Sequence, residues 1–191
     1  MDFWDLLEKK RPEVLALWRE RFFAEYPADS SGFLTRQKDP FANPVGTRLA
    51  EGLAGILRAA FNPGDLKAEE AAIAFLDDMA HIRAVQDFTP ARAVRFLFDL
   101  KDVCREVLAK DLAKLGEGSD WHALDRRIDA LALTGFDFYG RCREKIFDIR
   151  VNEVRNLSYK AMQRANLVAA IPELDGSPAA SGEAPPDGPK G

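Results

Sequence analysis

A chain of 191 residues holds one domain with an appendage and is too short for two full-sized ones. An apolar content of 47% with 13 phenylalanines fills a sizeable core, and 30% charged residues is ordinary for a globular protein. The formal charge of −4 argues against a protein that coats nucleic acid, and two cysteines, Cys104 and Cys142, exclude a disulfide-rich scaffold.

The opening MDFWDLLEKKRPE places two acids in its first five residues and has no uninterrupted apolar stretch, so it does not read as a signal peptide. No segment approaches the roughly 18 consecutive apolar residues of a membrane span. A cytoplasmic location with reduced thiols is the resulting expectation.

The elements read as helices throughout. Asp2 is a candidate N-cap, and Leu7, Val14, Leu15, Trp18 and Phe22 keep one face at helical spacing. Pro12 falls inside that pattern and predicts a kink or a restart with Pro12 in the first turn. A long connection follows from Tyr26 to Pro44, in which Phe33 and Leu34 are expected to anchor a short helical turn. Asn43 then caps a second helix with Pro44 at its first position, and Leu49, Leu53, Ile56, Leu57 and Phe61 form its stripe. Asn62-Pro63-Gly64 stops it. Asp65 caps a third helix, with Ile73, Leu76, Met79, Ala80, Arg83 and Ala84 inward, running to about Phe88. Thr89-Pro90 opens a fourth helix to about Leu115, with Val94, Leu97, Phe98, Val103 and Leu108 inward. Gly116 and Gly118 stop it, and Ser119 caps the last element.

That last element runs from about residue 120 to 169 without a proline. As one helix it would be about 75 Å long, so it either breaks near Gly135–Gly140 or carries its far half away from the body. Cys142, Ile146, Ile149, Val154, Leu157, Ala161 and Val168 give an imperfect three-four seam, the kind that needs a partner. From Pro172 onward, five prolines, four glycines and a charge of −3 predict disorder. The expected organisation is an all-α, globin-like helical domain over residues 1–169, with a long last helix and a disordered tail over 170–191.

Reactive constellations are missing from the pattern. Asp78-x-x-His81 has no second copy, as a di-iron bundle requires. Cys104 and Cys142 are far apart and read as small packing residues rather than zinc ligands. No G-x-S-x-G elbow and no phosphate-cradling glycine loop occur. No catalytic, cofactor-binding or metal residue is therefore assigned, and no cofactor is expected. His81 could face inward or outward, which leaves open an alternative reading as a haem- or small-ligand-binding globin-like protein; His122 is expected at the surface. Residues 141–164 carry seven basic and three acidic side chains, a net +4. Arg143, Arg150 and Arg155 on this helix are candidates for contact with an acidic partner or with the acidic tail, against the plainer reading of a solvated face. The cluster has too little aromatic interleaving for nucleic-acid binding.

Three stretches carry a family resemblance: Tyr26-Pro27 with Phe33-Leu34; KDPFANPVG at 38–46; and HIRAVQDFTP at 81–90 continuing as ARAVRFLFDLK to Lys101. Over roughly residues 3–160 the chain resembles the N-terminal domain of RsbRD-type RsbT co-antagonist proteins. The resemblance implies a globin-like fold without haem, dimerisation, and a non-enzymatic role as a sensory or input module in stressosome-type stress signalling. In that family the last helix leads to a STAS domain. Here it leads into the Pro/Gly-rich tail, so the expected output is a separate protein, reached from a homodimer formed through the last helices, with neither nucleic acid nor membrane involved.

The motif residues also have physical sense of their own. Phe41 can staple against the first turns of the helix that Asn43-Pro44 begins. Gly46 permits close approach of another element. Arg83 and Gln86 lie three apart and, if inward, need polar partners, expected among the carbonyls or acids of the Tyr26–Asn43 connection. They either lock that connection to the body or hold a ligand.

Overall fold

The computed structural model describes residues 2–26, 43–115 and 119–165. Among them it contains five α-helices and no strand: α1 (Phe3–Ala24), α2 (Pro44–Phe61), α3 (Leu66–Val85), α4 (Pro90–Leu115) and α5 (Ser119–Arg164). The Phe33-Leu34 turn, Phe41 and the Pro/Gly-rich tail lie outside the described residues. The chain divides into two compact units, Met1–Ile149 and Arg150–Gly191. In the second, the described part is helical and every residue from 150 to 165 is exposed.

The starts of α1, α2 and α3 each follow from a side chain that satisfies orphan amides. Asp2 and Asp5 form a reciprocal capping box: the Asp5 amide donates to Asp2 Oδ1 at 2.7 Å and the Asp2 amide to Asp5 Oδ2 at 3.3 Å. Asn43 Oδ1 accepts from the Gly46 amide at 2.8 Å, with Pro44 in the first turn of α2. Asp65 Oδ1 accepts from the Ala68 amide at 3.1 Å. Between α2 and α3 the chain turns through Gly64 at φ +90°, where glycine alone carries no steric cost. Pro12 does not restart α1, which runs through it as one helix. Pro12 is exposed, so the Glu8 carbonyl it leaves without an amide donor belongs to the solvent side of the helix.

Helix α1 packs on α4 and α2, α2 on α3, and α3 on α4. One apolar core lies between them and the first half of α5, built on Leu7, Trp18, Phe22, Leu53, Ile56, Leu57, Phe96, Leu100, Val103 and Ile128. Each such large side chain removed from water contributes about 1.5–3 kcal/mol. Trp18 spans the interior and donates its indole N–H to the Phe96 carbonyl at 2.7 Å, which satisfies its one polar atom. Two inward expectations are corrected. Ile73 and Phe98 are exposed, and Phe96 is buried in place of Phe98. A helix with apolar residues on more than one face does not reveal which face meets the core until its neighbours are placed.

Helix α5 continues through both Gly135 and Gly140. Its first half is fixed to the bundle by apolar contacts and by polar ties. Lys101 on α4 reaches Asp129 at 2.7 Å and Asp125 at 3.7 Å, and Arg105 reaches Asp125 at 3.1 Å. Arg127 donates to the Ala60 carbonyl at 3.0 Å and to the Ala59 carbonyl, so a cation closes the C-terminal end of α2, where the helix dipole favours positive charge.

The α2–α3 contact depends on Gly52. A Cβ built there would fall 2.0–2.4 Å from three ring atoms of Phe75. Gly52→Ala therefore forces the ring or the helix pair apart, and thermal or urea unfolding should show a loss of about 1–3 kcal/mol despite the better helix propensity of alanine.

Candidate functional site

The chemistry of the interior centres on Arg83, near the C-terminus of α3 and 0% exposed. Its Nη1 donates to the carbonyls of Arg92 at 2.9 Å and Ala93 at 3.1 Å in the first turn of α4, and its Nη2 donates to Glu25 Oε2 at 3.0 Å at the end of α1. The guanidinium carbon lies 4.8 Å from the ring centre of Phe96, 5.1 Å from those of Phe22 and Phe88, and 6.0 Å from that of Tyr26. Among the described residues Nε has no hydrogen-bond partner, so the ring faces are what surrounds the rest of the cation. A buried charge is tolerated only when paired and hydrogen-bonded, and one planar fork here meets acceptors from two other helices at once.

Burial raises the Glu25 carboxyl above the usual glutamate value of 4.5; Arg83 opposes that shift, Asp99 adds to it and Arg92 opposes it. Among the two thiols, burial pushes Cys104 up to about 12, which makes it an inert packing group. Burial, with Asp77 nearby, also raises Cys142, while Lys145 and Arg141 oppose.

Gln86 does not share the environment of Arg83. It is exposed and caps α3 through its backbone, donating to the Ile82 carbonyl at 3.1 Å. Three residues correspond to 300° on a helix, enough to move a side chain out of the buried sector. The described partners of Arg83 are also not those expected: they come from the end of α1 and the start of α4. Gly46 is buried in the first turn of α2 and Asn43 is buried as its cap. His81 is exposed and its Nδ1 lies 2.9 Å from the Asp77 carbonyl one turn back, so it faces outward from α3.

The basic candidates separate in the same way. Arg143 is half-buried and donates Nη1 to the Ala84 carbonyl at 3.1 Å and to Asp87 Oδ1 at 2.7 Å. Asp87 holds φ +55°, the left-handed position that ends α3. Together with Tyr139, whose hydroxyl donates to the Phe88 carbonyl, Arg143 fastens α5 to the α3–α4 corner. Arg150 and Arg155 are exposed in the second unit. Sequence reasoning did not single out Glu25, Arg127 or Tyr139. Glu25 adjoins an aromatic at a helix end, but nothing local distinguishes Arg127 from Arg126.

Fold and site together define an all-helical domain whose buried polar groups join helices. No group of three or more potential metal ligands occurs among the described residues, and no helix there is long and apolar enough to cross a membrane. Comparison with known proteins is consistent with this. The family profile described as the RsbT co-antagonist protein RsbRD N-terminal domain matches residues 12–154, and the chain belongs to that family of regulatory input domains in stress signalling. The chain is also similar to an uncharacterized protein of Archaeoglobus fulgidus, with 27% identity over 146 residues that cover 75% of this chain and 83% of the relative. No solved structure matches it.

Two measurements probe the Arg83 site. Arg83→Ala removes the tie to α1 and α4 and should cost about 3 kcal/mol or more in chemical unfolding; Arg83→Lys should not restore it, because a single ammonium cannot reproduce the planar fork. For Glu25 the sign is fixed by linkage. Its folded value is raised, so its contribution to stability is fully present below about 4.5 and is lost as pH rises through the raised value. Urea titrations across that interval should show the stability of the wild type, relative to Glu25→Gln, falling as pH rises and then levelling.

Proposed function

We propose that the chain is a haem-free, globin-like regulatory domain, with residues 1–169 as its functional unit, that carries out no reaction. It pairs with a second copy through the C-terminal helix and passes a change in helix packing to a separate output protein. What supports this is the family membership together with the character of the second unit. There Val154 is 63% and Leu157 is 68% exposed, in a segment of otherwise largely polar residues. Apolar side chains three apart on an exposed helix gain free energy by meeting another surface. Arg150, Arg155, Lys160 and Arg164 against Glu153 give that segment a net charge of +3, which favours an acidic output partner and makes its capture dependent on salt.

Pairing is tested by sedimentation velocity of the full chain. The wild type should sediment as a dimer, and Val154→Lys combined with Leu157→Lys should weaken association at least tenfold with helix content unchanged. A wild type that stays monomeric at every concentration tested would refute the pairing.

A further inference from the structure

The fold does not use the whole guanidinium of Arg83. Nη1 meets the carbonyls of Arg92 and Ala93, and Nη2 meets one oxygen of Glu25. Nε is buried and has no hydrogen-bond partner among the described residues. In a guanidinium, Nε–H and one N–H of Nη2 lie parallel along one edge of the plane, and that edge receives both oxygens of a carboxylate. Glu25 engages these two nitrogens through Nη2 alone. A buried donor left unpaired is costly, and the phenylalanine rings around it carry no acceptor.

Glu25 is also a weak occupant of that edge. Its side chain is 18% exposed at the C-cap of α1, so solvent reaches it. The charged groups that face it are Arg83 from α3 and Arg92 and Asp99 from α4. Burial raises its carboxyl, Asp99 adds to the rise, and the two arginines do not cancel it. A raised carboxyl means that the ionised form is less well placed there than in water. Turning outward therefore returns hydration to Glu25.

Exchange of the carboxylate differs from its loss. Losing Glu25 leaves a buried cation without its counter-charge, which is strongly destabilising. A free carboxylate that takes over the edge keeps the cation paired and adds a bond to Nε. Its size follows from what it displaces. Beyond Cα, a glutamate side chain is a propionate, so the space that Glu25 vacates fits a short, unbranched aliphatic acid. Tyr26 and Phe88, both half-buried with ring centres 6.4 Å apart, border the cation and offer an alkyl chain apolar contact.

We propose that the Nε–Nη2 edge of Arg83 is a binding site for a short-chain monocarboxylate, which bonds to both nitrogens and displaces Glu25 to solvent. Occupancy releases the end of α1 from α3 and leaves the α3–α4 tie through Nη1 in place. This rests on the regulatory reading above for its purpose, as the input that the domain receives, but not for its chemistry, since binding is measured whether or not the chain pairs.

The probe is sodium propionate, with sodium chloride and propionamide as controls for salt and for the uncharged isostere. In the full chain with isotope-labelled arginine, the Arg83 Nε–H resonance should move progressively with millimolar propionate and with neither control. Glu25→Gln keeps an acceptor for Nη2 and so keeps the fold, but its neutral amide competes less well, and propionate should bind about tenfold more tightly than to the wild type. An Nε–H resonance unmoved by propionate in both proteins overturns the site and leaves Arg83 as a structural tie. Equal or weaker affinity in Glu25→Gln overturns the displacement. Binding that leaves the backbone resonances of α4 and α5 unchanged keeps this site and overturns instead the transmission of a packing change in the reading above.

Discussion

The described residues of the first unit are organised around one buried cation. Arg83 brings a full positive charge into an interior lined, among the described residues, mainly by aromatic and aliphatic side chains, and it stays there because its acceptors come from α1 and α4 while its own backbone belongs to α3. Three helix ends are thereby tied to one point. The surrounding rings of Phe22, Phe88 and Phe96 present their electron-rich faces to a group whose charge is spread over a plane, which lowers the desolvation cost that a compact ammonium would meet. Apolar burial stabilises the bundle, but burial has no direction. The planar fork of Arg83 supplies direction, since its hydrogen bonds form only when α1, α3 and α4 meet in one arrangement.

A second constraint acts at the corner between α3 and α4. The chain leaves α3 through Asp87 in the left-handed region and re-enters helix at Pro90. Tyr139 and Arg143 from α5 hold that corner from outside through Phe88, Ala84 and Asp87. The Arg83 site and the α5 ties therefore converge on the same few residues, 83 to 93. The last helix is thus fastened next to the Arg83 contact.

Much of the fold was legible because it rests on local chemistry. Asp2, Asn43 and Asp65 each precede an apolar-periodic run, and each accepts a backbone amide at the start of its helix in the structure. The stripe Leu49, Leu53, Ile56, Leu57 and Phe61 is buried as its spacing requires. Legibility failed where a helix is apolar on more than one side. Ile73 and Phe98 satisfied the period yet face solvent. On α5 the seam that begins at Cys142 divides: Cys142 and Ile146 pack on the core side, while Ile149, Val154 and Leu157 are exposed. Arg83 and Gln86 looked equivalent by spacing, and their fates differ by the 60° that separates a buried sector from a helix end.

The sequence by itself determined that this chain is helical, where its helices begin and to which family it belongs, because caps, prolines and apolar periods act over one or two turns and are written in consecutive residues. The third helix, read to about Phe88, ends at Val85 because Asp87 turns left-handed. The tertiary structure decided which faces pair, which charge is buried and which apolar residues remain open. Those outcomes depend on groups brought together from 58 residues away, as Glu25 and Arg83 are, or 51, as Phe88 and Tyr139 are. No local pattern records a partner at that distance, since the contact exists only after the intervening helices have packed.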